Sequence, residues 1–290
     1  MYTSYYNLAS MPFDLNPDPG MLFLSDTHKE ALATLQYALM EKKWFLVLTG
    51  EVGTGKTTLI QVFLQSLAGQ TTKYCLLSNP SLKVEEFYYY ISHCFGLDEF
   101  DGNKAKFLLS FTELLEQAKE KGDVILLLID EAHVLPIELL EEVRLLSNAN
   151  PAAKTVLTIF LVGQPELNEH LAHERLLPLR QRISLRFHLH DFTEEETEAY
   201  IHFRLQKAGA RRLDIFSNDA LSLIHQKTGG NPRLVNLLCD HCLISGFSEG
   251  KPVIDQDIVR SCVAELHSPG HQIPRGGEAK KSLLRKLTGL

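Results

Sequence analysis

The sequence carries a glycine-rich run, GEVGTGKT, at residues 50–57, and its spacing fits the pattern G-x-x-x-x-G-K-[S/T]. Glycines in this pattern let backbone N–H groups curl around phosphate oxygens, and a helix that begins there adds a favourable dipole. Lys56 is predicted to reach the β- and γ-phosphates of a nucleotide, and the Thr57 hydroxyl to be a Mg²⁺ ligand. The predicted nucleotide contacts are Gly50, Glu51, Val52, Gly53, Thr54, Gly55, Lys56 and Thr57. The alternative interpretation is a chance glycine-rich turn.

A second candidate is the carboxylate pair Asp130 and Glu131, which directly follows the apolar run VILLLI at residues 124–129. A carboxylate at the carboxyl end of a buried strand faces the crevice in which open α/β sheets bind ligands. Asp130 is predicted to hold Mg²⁺ through water, and Glu131 to orient and polarise an attacking water, so the pair predicts ATP hydrolysis. The alternative is a solvated strand end.

Residues 130–133 spell DEAH, a run that also suggests a helicase. Such helicases need a second motor domain of similar size. Residues 191–290 are all that follow the predicted sheet, and they show helical patterns. We therefore reject the helicase interpretation.

Buried strands alternate with amphipathic helices in the first two thirds of the chain. Short apolar runs predict strands over residues 44–49, 73–78, 124–129, 155–162 and 184–189. Helical spacing predicts helices over residues 26–41, 56–67, 84–95, 104–121 and 138–147. This alternation is typical of a P-loop α/β fold, a parallel sheet sandwiched by helices. The glycine-rich run therefore lies between a strand and a helix, as a phosphate site requires.

After residue 190 the pattern is all helical. Thr193 and Glu196 form a capping box that starts a helix to residue 208, and helices follow over residues 217–227, 232–245 and 255–266. Prolines 12, 17 and 19 predict an irregular start. We predict an N-terminal segment and first ATPase-domain helix (1–43), an α/β core (44–190), a helical lid (191–266) and a flexible basic tail (267–290).

The formal net charge of −7 is unevenly distributed. Residues 1–190 carry 16 Lys and Arg against 23 Asp and Glu, whereas residues 191–290 carry 13 of each. An acidic first part argues against a nucleic-acid surface there, because such surfaces replace counterions with Lys and Arg. The basic amphipathic end at residues 280–287 is a candidate contact for anionic lipid, DNA or a partner, with a solvated tail as the alternative.

Five scattered cysteines do not suggest a disulfide framework, which fits a reducing compartment. Cys239 and Cys242 have CxxC spacing, but a zinc site needs four ligands, so we interpret the pair as part of a packed helix. The first ten residues lack the pattern of a signal peptide, and no window reaches the roughly 18 apolar residues of a spanning helix. We therefore expect a cytoplasmic protein.

Several further motifs follow one another in order along residues 2–266. They are YYNL at 5–8, PF at 12–13, PDP at 17–19, GEVGTGKTT at 50–58, DEA at 130–132, RLLSN at 144–148, LVGQPEL at 161–167, LRQRI at 179–183 and GNPR at 230–233. With these motifs the chain resembles the AAA+ ATPases, and among them the ExeA type (general secretion pathway protein A), which includes relatives associated with exosortase-type envelope systems. The resemblance implies ATP and Mg²⁺ as cofactors.

The resemblance also assigns roles beyond the two motifs. Gln164 matches the sensor 1 position, where a polar side chain contacts the γ-phosphate or the water. Arg182 matches the arginine finger supplied to a neighbouring subunit's nucleotide, with Arg180 as the second choice, and Arg233 matches sensor 2. The alternatives are a loop cap for Gln164, surface ion pairs for Arg180 and Arg182, and a surface charge for Arg233.

Three more residues receive roles from the same resemblance. Asn79 matches a residue that restrains the catalytic glutamate, with plain turn chemistry before Pro80 as the alternative. Thr58 extends the nucleotide-binding run, and Phe13 is expected near the adenine. The larger secretion proteins of the family continue into a membrane helix and a peptidoglycan-binding region, which these 290 residues lack, so we do not expect a direct cell-wall role.

Three functions follow as hypotheses. The first is an ATPase that forms a homo-oligomer through its nucleotide sites and acts as a motor or switch on an unknown partner, in secretion or envelope-associated export. Its location would be cytoplasmic, with a peripheral place at the inner membrane left open. The second is an ATP-dependent, DNA-associated regulator of a transposase-like partner, which the acidic core disfavours. The third is a nucleotide-binding module with negligible turnover, against which Glu131 argues.

Overall fold

A computed structural model describes residues 1–16, 18–68, 71–78, 81–97, 100–148 and 156–266. The described elements, in chain order, are α1 (Tyr2–Tyr5), α2 (Asp26–Met40), β1 (Phe45–Gly50), α3 (Lys56–Ser66), β2 (Thr72–Leu77), α4 (Val84–Phe95), α5 (Lys104–Lys121), β3 (Val124–Ile129), α6 (Ile137–Leu146), β4 (Leu157–Gly163), α7 (Glu166–Ala172), α8 (Leu177–Arg180), β5 (Ile183–Leu189), α9 (Glu194–Lys207), α10 (Asn218–Thr228), α11 (Pro232–Ser248) and α12 (Gln256–Leu266). Short 3₁₀ turns cover Pro19–Met21, Ala132–Val134 and Glu174–Leu176.

Within the described ranges, five strands form one sheet in the order β2-β3-β4-β1-β5, and every neighbouring pair is parallel. Parallel pairing needs crossover connections, and the helices between the strands supply them. The sheet therefore confirms the predicted fold class, a parallel α/β sheet with helices on both faces.

The strands are hydrophobic on both faces because helices cover both. Phe45 and Val47 of β1 pack into a core that also includes residues of α4, α5 and α6. Leu46 and Leu48 point the other way, into a core that includes residues of α2 and α3. All six residues of β1 are buried, which explains its near-continuous apolar sequence.

Local signals account for several helix ends. The Ser25 side chain accepts from the backbone N–H of His28 at the start of α2, and Asn103 caps α5 in the same way. The predicted capping box of Thr193 and Glu196 is present at the start of α9. Each cap satisfies N–H groups that a helix leaves without a partner, so these helices begin where the sequence indicates.

The structure contains helices that the sequence did not predict. α7 and α8 lie between β4 and β5, where Leu167, Leu171 and Leu179 are buried. The predicted irregular start is wrong for α1, which makes one helical turn before Pro12. Helices of four to seven residues span too few turns to show a helical period, and Pro178 in the first turn of α8 adds no periodic signal.

The contacts divide the chain into two compact units, which we call the core unit and the helical unit. Of the described residues, the core unit contains those in the ranges 16–192 and 231–233, and the helical unit contains those in the ranges 1–15, 193–230 and 234–266. This division differs from the boundaries inferred from the sequence, which stay a prediction.

Inside the helical unit, the N-terminal segment is anchored by side-chain hydrogen bonds. The Tyr2 hydroxyl donates to the Asp240 carboxylate, and Arg204 donates to the backbone carbonyls of Pro12 and Asp14. Arg204 is buried, so these carbonyls satisfy a guanidinium that would otherwise lose its hydration. Cys239 and Cys242 are also buried here, in α11. Among the helices of the described ranges, none combines the length and the hydrophobicity that a membrane-spanning segment requires.

Candidate functional site

The predicted site residues follow three adjacent strands of the core unit. Residues 50–57, the P-loop, follow β1; Asp130 and Glu131 follow β3; Gln164 follows β4. Because β3, β4 and β1 are parallel neighbours, their carboxyl ends meet at one edge of the sheet. The topology therefore brings the two sequence motifs to the same place.

The P-loop backbone requires glycine at two positions. Gly53 and Gly55 have φ angles of 87° and 94°, in the left-handed region that side chains disfavour. A Cβ atom added to Gly53 would lie 2.5 Å from Arg233 Cβ and 2.8 Å from Asn231 Oδ1. Gly55 directly precedes α3, and a helix N-terminus favours an anion.

Lys56 lies in the first turn of α3 and is almost fully buried. Its ammonium group donates to the Gly50 carbonyl at 2.7 Å and to the Glu51 carbonyl at 2.8 Å. Burial lowers the pKa of Lys56, and the negative charges of Glu131 and Asp130 oppose that shift. A buried cation held by the loop's own carbonyls fits a polyphosphate ligand, which would supply the compensating charge.

Thr57 and Asp130 join the two motifs. Thr57 Oγ1 donates to Asp130 Oδ2 at 3.0 Å, and the backbone N–H of Glu131 donates to Asp130 Oδ1 at 2.9 Å. Burial raises the pKa of Asp130, whereas these two hydrogen bonds lower it. A hydroxyl beside a carboxylate is a hard-oxygen donor set of the kind that Mg²⁺ prefers, so these residues fit the implied metal.

Glu131 has a strained backbone. Its φ of 54° and ψ of 33° are in the left-handed region, although it is not glycine. Such a conformation costs of the order of 1–3 kcal/mol and is concentrated at functional sites. The Glu131 side chain is 42% exposed, so it can contact solvent water.

A histidine that the sequence analysis did not single out lies between Glu131 and Gln164. His133 Nε2 is 3.5 Å from Glu131 Oε2 and 2.9 Å from the Gln164 side-chain amide. The Gln164 backbone N–H also donates to His133 Nδ1 at 3.3 Å. The sequence signal that marks this histidine is its place two residues after Glu131.

Two more residues at the P-loop were missed. Asn231 donates its side-chain amide to the Val52 carbonyl and to Asp191 Oδ1, both at 2.9 Å. His28 Nε2 lies 3.0 Å from the Thr54 carbonyl. Asn231 belongs to the GNPR motif from which only Arg233 was selected, and His28 is distant in sequence from any motif.

The AAA domain family matches residues 39–171 of the chain. Over 254 residues the chain is 42% identical to general secretion pathway protein A of Aeromonas hydrophila, an alignment that covers 86% of this chain and 46% of that protein. The chain belongs to the AAA+ ATPases of the ExeA type. This confirms the family inferred from the ordered motifs.

This ExeA-type chain is also 25% identical over 164 residues to an uncharacterized HTH-type transcriptional regulator of Methanocaldococcus jannaschii. That alignment covers 55% of the chain and 40% of the regulator. The chain thus spans less than half the length of each of these curated relatives.

Solved structures agree on the fold. The Aeropyrum pernix ORC2 protein superposes with a TM-score of 0.62 at 18% identity, covering 88% of this chain and 71% of that one. The RuvB Holliday junction branch migration motor of Thermotoga maritima gives a TM-score of 0.52 at 20% identity, covering 83% and 69%. At these identities the likeness shows a shared fold and nothing finer.

The two arginines proposed as fingers in the ExeA-type chain lie away from its own P-loop. Arg182 precedes β5, in which Ile183 pairs with Phe45 and Leu189 pairs with Gly50 at the P-loop end. At about 3.3 Å per residue, β5 separates Arg182 from the P-loop by roughly 20 Å. This distance is well beyond the length of an arginine side chain.

Arg182 contacts the carboxyl end of α6. Its guanidinium donates to Ser147 Oγ at 2.7 Å and to the Arg144 carbonyl at 3.4 Å, and lies 5.5 Å from the centre of the Trp44 ring. Arg180 is exposed and donates to the Ala172 carbonyl at 3.2 Å. In these hydrogen bonds both arginines donate to neutral oxygens, whereas the alternative considered for them was surface ion pairs.

The remaining predicted residues lie in three different places. Thr58 is half-buried in the first turn of α3. Phe13 is buried in the helical unit, where its ring meets the Phe216 ring edge-on at 6.1 Å. Asn79 and the tail at residues 267–290 lie outside the described residues. The roles given to these residues stay predictions.

Proposed function

We propose that this ExeA-type protein binds ATP with Mg²⁺ and hydrolyses it. The observation that carries the proposal is the 3.0 Å hydrogen bond between Thr57 and Asp130, the two residues predicted from separate motifs to hold the metal. Lys56, Glu131 and Gln164 belong to the same strand edge. A chance glycine-rich turn would not bring the hydroxyl and this carboxylate together.

Each side chain has a defined task in the proposal. Backbone N–H groups of the P-loop and the start of α3 bind the phosphates, and Lys56 neutralises their charge. When bound, Mg²⁺ would supply positive charge to the phosphate oxygens, and Thr57 and Asp130 would hold it. Glu131 orients the attacking water and accepts its proton, with Gln164 beside it.

We further propose that Arg182 completes the site of a neighbouring subunit. A residue about 20 Å from its own P-loop cannot serve that loop, but it can serve the same site in an adjacent copy. An arginine finger supplied in trans contributes about 10³–10⁵-fold to hydrolysis. The proposal therefore makes the protein a homo-oligomer through its nucleotide sites.

The cellular role and the kind of partner are proposed from the similarity to general secretion pathway protein A. General secretion pathway protein A supports a role as a motor or switch in secretion or envelope-associated export. The shared region is 46% of that protein, so a common partner is part of the proposal only. A place in the cytoplasm, at or near the inner membrane, belongs to the same proposal.

Phosphate release at steady state tests the proposal. We expect the wild type to release phosphate only in the presence of Mg²⁺. Lys56→Ala should lose the binding of ATP, and Glu131→Gln should bind ATP but release little phosphate. Glu120→Gln, an exposed glutamate on α5, is the matched control and should behave as the wild type. Equal release by Glu131→Gln and the control would contradict the role of Glu131.

Capture of partners with Glu131→Gln tests the pathway, because a variant that retains ATP should hold its partner-competent state. Recovery of secretion or envelope components supports the proposed role. Recovery of a transposase, or of DNA in a salt-sensitive complex, would support the DNA-associated alternative instead. The acidic charge of residues 1–190 opposes that alternative, because a nucleic-acid surface needs Lys and Arg.

A further inference from the structure

We propose that His133 is a positioning residue that couples Gln164 to Glu131. This inference rests on the proposed hydrolysis. The neutral imidazole has one N–H, which can donate a hydrogen bond either to Gln164 or to Glu131. The position of the Gln164 side chain therefore determines how firmly the Glu131 carboxylate is held. His133 would thereby transmit the state of the sensor side chain to the base.

The position of the ring is fixed from two sides. Its side chain is only 13% exposed, and its residue belongs to the 3₁₀ turn Ala132–Val134, which directly follows Glu131. On the other side, a Cβ added to Gly163 would lie 3.1 Å from the His133 backbone nitrogen and 3.3 Å from Nδ1. Glycine at the end of β4 therefore lets the ring approach the strand closely.

The hydrogen bonds determine the tautomer. The Gln164 backbone N–H points at His133 Nδ1, and an N–H donor requires an unprotonated nitrogen as acceptor. A neutral ring with a free Nδ1 carries its proton on Nε2. The ring therefore presents one N–H toward the side of Glu131 and Gln164.

His133 Nε2 has two neighbours toward which it can direct that proton. It lies 2.9 Å from Gln164 Nε2, an amide nitrogen that cannot accept the proton in this orientation, and 3.5 Å from Glu131 Oε2. A half-turn of the amide exchanges its oxygen and nitrogen, so Gln164 can present Oε1 to the ring. While Gln164 Oε1 accepts the hydrogen bond from His133 Nε2–H, the Glu131 carboxylate is held only loosely. When the Gln164 side chain turns away, His133 Nε2–H can donate this hydrogen bond to Glu131 instead.

Two amide substitutions separate this role from simple packing. The oxygen of His133→Asn can replace Nδ1 as the acceptor for the Gln164 backbone, but its side chain is too short to reach Glu131. The longer His133→Gln can place an N–H donor near the position of Nε2. We expect His133→Asn to bind a fluorescent ATP analogue within about twofold of the wild type while kcat falls by about tenfold or more, since a general base contributes about 10²–10⁴-fold when well positioned.

His133→Gln should restore most of that loss, and His93→Asn, an exposed histidine on α4, is the matched control. A wild-type kcat in His133→Asn would overturn the proposal, as would equal losses in both amide variants. If the wild type itself does not hydrolyse ATP, the proposed function fails, and the measurement below decides the coupling alone.

Ring ¹⁵N spectra of the unliganded protein provide that measurement, with the His133 signals assigned by their loss in His133→Asn. We expect an unprotonated Nδ1 and a protonated Nε2, and a shift of the Nε2 signal in Gln164→Ala because its acceptor changes. Protonation at Nδ1, or an Nε2 signal that does not respond to Gln164→Ala, would overturn the coupling.

Discussion

Thr57 and Asp130 are 73 positions apart in the sequence, yet Thr57 Oγ1 donates a 3.0 Å hydrogen bond to Asp130 Oδ2. The contact joins the first turn of α3 to the end of β3, two elements linked only through the parallel sheet. It places a hydroxyl and a carboxylate where one cation could bind both. The following predictions depend on this arrangement and on the contacts around it.

Removing the Thr57 hydroxyl should weaken the use of Mg²⁺. We expect Thr57→Ala to raise the Mg²⁺ concentration needed for half-maximal ATP hydrolysis by about 10–100-fold, the usual effect of disturbing a metal's ligands or their partners. Thr57→Ser keeps the hydroxyl and should stay within a few-fold of the wild type. An unchanged Mg²⁺ titration in Thr57→Ala would show that this hydroxyl is not a ligand.

A side chain at Gly53 should disturb the P-loop more than its backbone strain explains. Gly53→Ala adds a left-handed alanine and a collision with Asn231 and Arg233, whereas Gly122→Ala adds a left-handed alanine in open space. We expect urea unfolding to give a loss of about 1 kcal/mol in the free energy of unfolding for Gly122→Ala and a larger loss for Gly53→Ala.

Only Gly53→Ala should also weaken the binding of ATP. Equal stability losses in the two variants, measured in the same buffer, would mean that Asn231 and Arg233 do not press on the loop in solution.

Two inactive variants should restore activity when mixed, if Arg182 acts across a subunit boundary. Arg182→Ala retains its own P-loop and lacks the finger, whereas Lys56→Ala retains the finger and lacks a working P-loop. We expect each alone to hydrolyse little ATP, and the mixture to recover a measurable fraction of wild-type phosphate release. Arg211→Ala, an exposed arginine, should remain active alone and at every mixing ratio. A mixture as inactive as its components, despite forming mixed oligomers, contradicts the trans role.

Cys94 should be the cysteine that alkylating reagents modify first. It is exposed, whereas the other cysteines are buried: Cys75, Cys239, Cys242 and Cys262. A hydrogen bond from the Cys75 thiol lowers the pKa of Cys94 to about 7, since it stabilises the thiolate. The rate of iodoacetamide labelling should therefore rise with pH and reach half its maximum near pH 7.

In the control variant Cys75→Ala, the pKa of Cys94 should return toward its ordinary value, so labelling at pH 7 should slow. A wild-type midpoint above pH 8 would contradict the assigned hydrogen bond.

The sequence predicted the parts of the site that local patterns encode. Residues 50–57 and the pair Asp130 and Glu131 each follow a short apolar strand, so motif, strand and position reinforce one another. Because parallel strands align their carboxyl ends, the meeting of the two motifs could also be expected. The fold class was predicted from the alternation of strands and helices, and the family from the order of the motifs along residues 2–266.

The contacts of His133, Asn231 and His28 could not be predicted in this way. Each depends on a residue at least 26 positions away, and no local period records such a pair. The distance of Arg182 from the P-loop could not be predicted either. It follows from the register of β5 on β1, which no local sequence pattern encodes.

Single-turnover hydrolysis tests the central claim most directly. Labelled ATP would be mixed with an excess of wild-type protein or of Glu131→Gln, with Mg²⁺ or with a chelator, and the bound nucleotide analysed over time. We predict that both proteins bind ATP in the presence of Mg²⁺, and that only the wild type converts the bound ATP to ADP. Conversion at equal rates by both proteins, or conversion by the wild type that persists without Mg²⁺, would contradict the account.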